Sequence, residues 1–221
     1  MKTIKDLIGI KKDKIGLVIC SGSSIIDYKK EIDKFIKDIK PVVIGINNIN
    51  NLYIPEYHLW TNTQRFRTFG KNINDKSKIL LGSNIAAKVI KEVIGNKEYI
   101  LINYIDKQGI PLDYKKGKLY GHYRNAGCLS IMILHLMGVS NIYIVGMDGY
   151  SEFNYEDYKS GKISHHCYGK GYTDNKTWEE RKEADEIVYN CLKNLFSYGI
   201  KFRIITPTMY KGLYDETFFK R

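Results

Sequence analysis

Seven short apolar, β-branched runs, at residues 15–20, 42–46, 58–61, 79–82, 99–103, 142–146 and 202–206, constrain this chain most. Each has the length of a strand. Several are apolar throughout rather than alternating, the pattern of strands covered on both faces of a parallel sheet. Helical periods lie between them. Residues 25–39 are amphipathic and follow a Ser-Gly-Ser-Ser turn. Leu129, Met132, Ile133, Leu136 and Met137 recur at helical spacing before Gly138, and Ala184, Ile187, Val188, Cys191, Leu192 and Leu195 do so before Gly199. Strand, helix, strand repeated in this way predicts an α/β fold: one domain over residues 1–221, with a doubly wound, mostly parallel Rossmann-like sheet.

Apolar residues make up 43% of the 221, enough for a sizeable core. The excess of 35 Lys+Arg over 24 Asp+Glu leaves +11, which favours anionic partners, although abundant Lys and Asn in an A+T-rich genome give the same excess. Cys20, Cys128, Cys167 and Cys191 are widely spaced, without a C-x-x-C pair, and read as reduced thiols of a cytoplasmic protein. The first residues, MKTIKDLIGIKKDK, are too charged for a signal peptide. The longest apolar stretch, 129–139, contains His135 and is far short of the ~20 residues of a spanning helix. The expected location is therefore cytoplasmic. A peripheral contact at the inner membrane face and a homo-oligomer both stay open, as does the placement of the aromatic, charged segment 210–221.

Ligands of doubly wound sheets sit beyond the carboxyl ends of the strands, so the loops there are the candidates. The first, Cys20-Ser21-Gly22-Ser23-Ser24, suits a phosphate through backbone N–H groups and the helix behind them; it also reads as an ordinary turn with Ser23 or Ser24 as the helix cap. Asn47 and Asn62 follow the second and third strands, where an amide offers both donor and acceptor; each is equally a turn residue. Tyr123-Arg124-Asn125-Ala126-Gly127 places a guanidinium, an amide and a small-residue turn at the start of the central helix. Asp148 and Tyr150 follow another strand, Asp148 either orienting a ligand hydroxyl or capping a helix. The long irregular stretch 151–177 reads as a lid. It carries Tyr155, Tyr158, Tyr168, Tyr172 and the pair His165-His166. Adjacent histidines make a poor metal site, and either suits a general base, unless both are exposed loop residues.

Taken in order, these pieces resemble the sialyltransferases of glycosyltransferase family 42 and the related 6-hydroxymethylpterin diphosphokinase-like proteins. The resemblance rests on the turn after the first strand, on Asn47 and Asn62, on residues 123–150 (YRNAGCLSIMILHLMGVSNIYIVGMDGY) and on Ser164-His165-His166 leading to Asp174. The family's serine before the glycine is Ala126 here, and its histidine position falls at Gly169, so the base would pass to His165 or His166. The resemblance implies a sialyltransferase-like GT-A variant that moves a sugar from a nucleotide-activated donor, a CMP-sugar favoured, to a hydroxyl of a glycan or small molecule. It implies no metal. His166 or His165 would be the base. Ser21, Gly22, Ser23, Arg124, Asn125, Gly127, Tyr150, Tyr168 and Tyr172 would surround the phosphate, while Asn47, Asn62 and Asp148 hold hydroxyls. The alternatives are an ATP-dependent diphosphokinase of a pterin-like alcohol, with Mg²⁺ on Asp148 and Asp27, and a non-catalytic nucleotide- or nucleic-acid-binding module. No recognised nucleic-acid motif supports the last.

Overall fold

The computed structural model describes residues 2–49, 51–151, 156, 160, 164–169 and 177–220. In chain order the elements are β1 (Lys2–Thr3), β2 (Ile15–Ile19), α1 (Ser24–Asp27), α2 (Lys29–Ile39), β3 (Val42–Ile46), β4 (Tyr57–Trp60), α3 (Thr63–Phe69), β5 (Lys78–Gly82) and α4 (Ala87–Ile94). They continue with β6 (Tyr99–Ile102), β7 (Tyr104–Asp106), β8 (Asp113–Lys115), β9 (Lys118–Gly121), α5 (Ala126–Leu136), β10 (Asn141–Val145), α6 (Trp178–Ser197) and β11 (Phe202–Ile204). Eight strands form one parallel sheet in the order β1-β6-β5-β4-β3-β2-β10-β11. Each apolar run holds one of these strands, and the fold is the expected doubly wound α/β sheet.

Both faces are covered because successive residues point to opposite sides. Val18, Ile44, Leu59, Leu80 and Ile144 pack against α5 and α6, whereas Leu17, Ile19, Val43 and Val145 pack with Ile25 and Ile32 of α1 and α2. Trp60, Ile79 and Leu81 meet Phe66 of α3 and Val89, Ile90 and Val93 of α4. α5 is apolar almost all round, with Ala126 through Leu134 buried, as a helix enclosed by neighbours must be. Thr177 and Glu180 start α6 with a reciprocal capping box.

Three details depart from the sequence expectation. The helix expected over 25–39 breaks at Tyr28, whose φ of −99° and ψ of 19° separate α1 from α2. α3, α4 and a small second sheet, ordered β7-β9-β8, occupy stretches where no element was expected. The C-terminal segment packs on the sheet's own layer: Phe218 lies 5.6 Å from the Phe35 ring and 5.1 Å from Tyr143, and Phe219 lies 5.9 Å from Tyr28. All four cysteines are free and buried. Among the described residues no helix is long and apolar enough to cross a membrane.

The chain runs outward from β2 through β3, β4, β5 and β6, then returns to lay β10 on the other side of β2. The order therefore reverses between β2 and β10. At that point Gly22 N donates to Gly146 O (2.9 Å), and a Cβ on Gly22 would stand 2.4 Å from Gly146 O and 2.5 Å from Asp148 Oδ2. Only glycine fits without moving backbone. Gly22→Ala should therefore lower stability by ~1–3 kcal/mol, read as an earlier urea midpoint; an unchanged midpoint would show that this junction can relax.

Candidate functional site

The crevice at the β2/β10 reversal holds a small cavity of about 80 Å³, lined by Ser21, Gly22, Asn47, Arg65, Asn125, Asp148, Tyr150, His165 and His166 among others. A second cavity of about 330 Å³ adjoins it, lined by Asn47, Thr61, Asn62, Arg65, Tyr104, Asp106, Arg124, Asn125 and Tyr150 among others. Asn47, Arg65, Asn125, Ala126 and Tyr150 belong to both walls. The topology thus brings together most of the residues singled out at strand ends, where an open α/β sheet places its ligands. Three of them fall elsewhere. Ser23 and Gly127 line neither cavity, and Tyr168 stands behind His166. Tyr172 lies outside the described residues, as do Tyr155, Tyr158 and Asp174.

The first turn is employed differently from a phosphate cradle. Ser24 donates from its amide to Asp148 Oδ2 (2.9 Å) and from its hydroxyl to Oδ1 (2.5 Å). Ser24 Oγ also lies 3.1 Å from Thr206 Oγ1, which accepts the Gly146 amide at 2.9 Å. A carboxylate from the neighbouring strand end therefore caps α1, where an anionic ligand was expected. Ser23, the formal cap, makes no side-chain capping bond. Asp148 is 4% exposed and reads as the helix-capping carboxylate, still with an edge on the cavity. Burial pushes the adjacent Cys20 thiol up, and the Asp148 charge adds to it, so Cys20 is an inert core thiol.

The other helix start has an amide cap and no carboxylate in its first turn. Asn125 caps α5 by accepting from Cys128 N (2.9 Å), leaving the earlier amides of that helix without intrahelical partners. Arg124, before it, has φ +61°, and Asn125 N donates back to Tyr123 O at 2.7 Å, a tight three-residue turn. Asp106, from the small sheet, stabilises that turn by accepting from Tyr123 N (2.9 Å). Gly127 faces inward, where a Cβ would meet Met147 Cε at 2.5 Å and Cys20 Sγ at 3.0 Å, so its role is close packing. Asn62 caps α3 by accepting from Arg65 N (2.8 Å), which orients the helix that carries Arg65.

His165 and His166 are buried, 5% and 8% exposed, so they are not surface loop residues. His166 forms an antiparallel bridge with Gly22, and Cys167 N donates to Ser21 O (2.9 Å). The His166 ring stacks on Tyr168 at 4.8 Å with planes 8° apart, and its Nε2 lies 3.1 Å from Arg65 Nη2. Burial pushes the Tyr168 phenol up to about 12 against the opposing pull of Arg65, and burial also raises Tyr150 against Arg65 and Arg124. Both phenols stay protonated and able to donate.

Arg65, Asp106 and Asp185 escape sequence reasoning because they come from a helix, a small sheet and a distant helix, not from a main-sheet strand end. Asp185 of α6 is fully buried and accepts from Tyr150 N (2.8 Å), Ser151 N (2.8 Å), Ser151 Oγ (2.7 Å) and Tyr210 Oη (2.9 Å). One carboxylate thereby fixes the loop after β10. The chain matches no protein-family model, and no curated protein is significantly similar to it.

Asn47 is held in a left-handed conformation, φ +48°, by its amide donating to Leu59 O (2.9 Å) and its carbonyl accepting from His58 Nε2 (2.6 Å). Burial lowers the His58 imidazole from 6.5 to about 4, only partly countered by that bond. Protonation is thus easier in the unfolded chain. The stability His58 contributes is complete above its unfolded value of 6.5 and is lost as pH falls towards about 4, to a limit of ~3 kcal/mol. His58→Gln, which keeps a donor, should flatten the pH dependence of urea unfolding in this window; an unaltered slope would assign the acid limb to other groups.

Proposed function

We propose that the protein is a transferase using a nucleotide-activated donor, a CMP-sugar fitting best, and that it glycosylates an acceptor hydroxyl without a metal ion. One observation carries the reading. Asn47 Oδ1 and Arg65 Nε, in the wall common to both cavities, are buried with no hydrogen-bond partner among the described residues. Leaving such groups unmatched costs about 1–3 kcal/mol each, so they anticipate a guest. The guest must offer an N–H or O–H to Asn47 and an acceptor, best an anionic oxygen, to Arg65. A nucleoside phosphate does both.

Arg65 and Arg124, with the start of α5, supply the positive charge that a departing phosphate needs. Tyr150, in the wall of both cavities, keeps its phenol protonated and adds a neutral donor beside it. In the transfer, the acceptor oxygen bonds to the sugar's anomeric carbon as the carbon–oxygen bond to phosphate breaks. The acceptor's proton passes to His166. The diphosphokinase alternative fits less well: the Asp148 carboxylate is committed to Ser24, and Asp27 is exposed and lines neither cavity.

Calorimetric titration with CMP, CDP, UDP, GDP and ATP, with and without Mg²⁺, tests the reading. CMP should bind without metal and at ~100 times Kd add about 2.7 kcal/mol of stability. Tight ATP binding only with Mg²⁺ would favour the kinase, and no binding by any nucleotide would remove both. Asn47→Gly keeps the left-handed backbone while deleting the amide, and should weaken CMP about 5–150-fold. Unchanged affinity would return Asn47 to the role of a turn residue.

A further inference from the structure

A guanidinium carries donors only, so the 3.1 Å contact from Arg65 Nη2 makes His166 Nε2 an acceptor. That fixes the ring as the neutral tautomer with its proton on Nδ1. An imidazole held this way has no free lone pair to accept a substrate's proton: Nδ1 already bears a proton, and the lone pair of Nε2 is engaged. Yet the same guanidinium has Nε buried without a partner among the described residues and stands in the wall of both cavities. A phosphate oxygen is a better acceptor for it than an imidazole nitrogen, because that bond is charge-assisted at both ends.

Resting on the transferase reading, we propose that Arg65 is a positioning residue that idles His166 in the empty site and frees its Nε2 when the donor's phosphate claims the guanidinium. The ring itself is held independently of Arg65, by the bridge to Gly22, by Ser164 Oγ on its backbone amide (3.3 Å) and by the Tyr168 stack. The base thus stays in place while its lone pair is released. Proton abstraction is thereby conditional on a bound donor, which imposes donor-first binding.

Long-range ¹H–¹⁵N spectra of ¹⁵N-histidine-labelled protein, with His166 assigned through His166→Gln, read the tautomer directly. The ligand-free protein should show Nδ1 protonated and Nε2 unprotonated, and saturating CMP should shift the Nε2 resonance. Arg65→Gln should show the shifted His166 pattern with no ligand added; should that variant not fold, the wild-type titration decides alone. A protonated Nε2 in the ligand-free protein overturns the proposal. So does CMP binding, proven by calorimetry, that leaves the His166 resonances in place; that outcome spares the transferase reading. If CMP does not bind but inorganic pyrophosphate binds and shifts Nε2, the CMP-sugar reading falls and the Arg65 release stands. If neither binds, both fall.

Discussion

The carboxylate of Asp148, reaching from the end of β10 to the amide and hydroxyl of Ser24, is the interaction on which the site's geometry depends. It joins the two strands at the reversal of the sheet. It also satisfies the positive start of α1 from within the molecule. With the Gly22–Gly146 contact beneath it and Thr206 beside it, it makes the floor of the crevice rigid and already neutralised.

Two helix starts therefore divide the electrostatics of the crevice. The start of α1 faces a carboxylate of the protein. The start of α5 is capped by Asn125, preceded by Arg124 and faced across the cavity by Arg65. The attraction for an anion is displaced from the first turn, where an α/β sheet often keeps it, to the opposite wall. The residues there are neutral donors and cations, with Asp106 spent on backbone amides. The crevice thus carries guanidinium groups on one side and a committed carboxylate on the other.

The sheet was legible because a strand covered on both faces must be apolar at every position, as Val42–Ile46 is. α5 and α6 were legible through their apolar spacing. The β7-β9-β8 sheet was not: its short strands, such as Lys118–Gly121, are mixed in character and hold together by pairing and by packing on Tyr123. At the site, the strand-end rule located Asn47, Asn62, Arg124, Asn125 and Asp148. It had no means of separating Asn47, whose Oδ1 has no partner among the described residues, from Asp148, which serves the fold, since both are polar residues after strands. Arg65 and Asp185 were invisible for a related reason. Their importance arises from where α3 and α6 dock, and spacing within one helix carries no record of what lies across a cavity.

The hydrogen bonds gathered by Asp185 join two distant parts of the chain. Tyr150 and Ser151 at one end, and α6 at the other, are clasped by the same side chain. Residues 164–169 are held separately, by the bridge from His166 to Gly22 and by Cys167 N donating to Ser21 O. The turn after β10 and the docking of α6 thus move as one piece, so a change at either is felt at Tyr150 in the cavity wall.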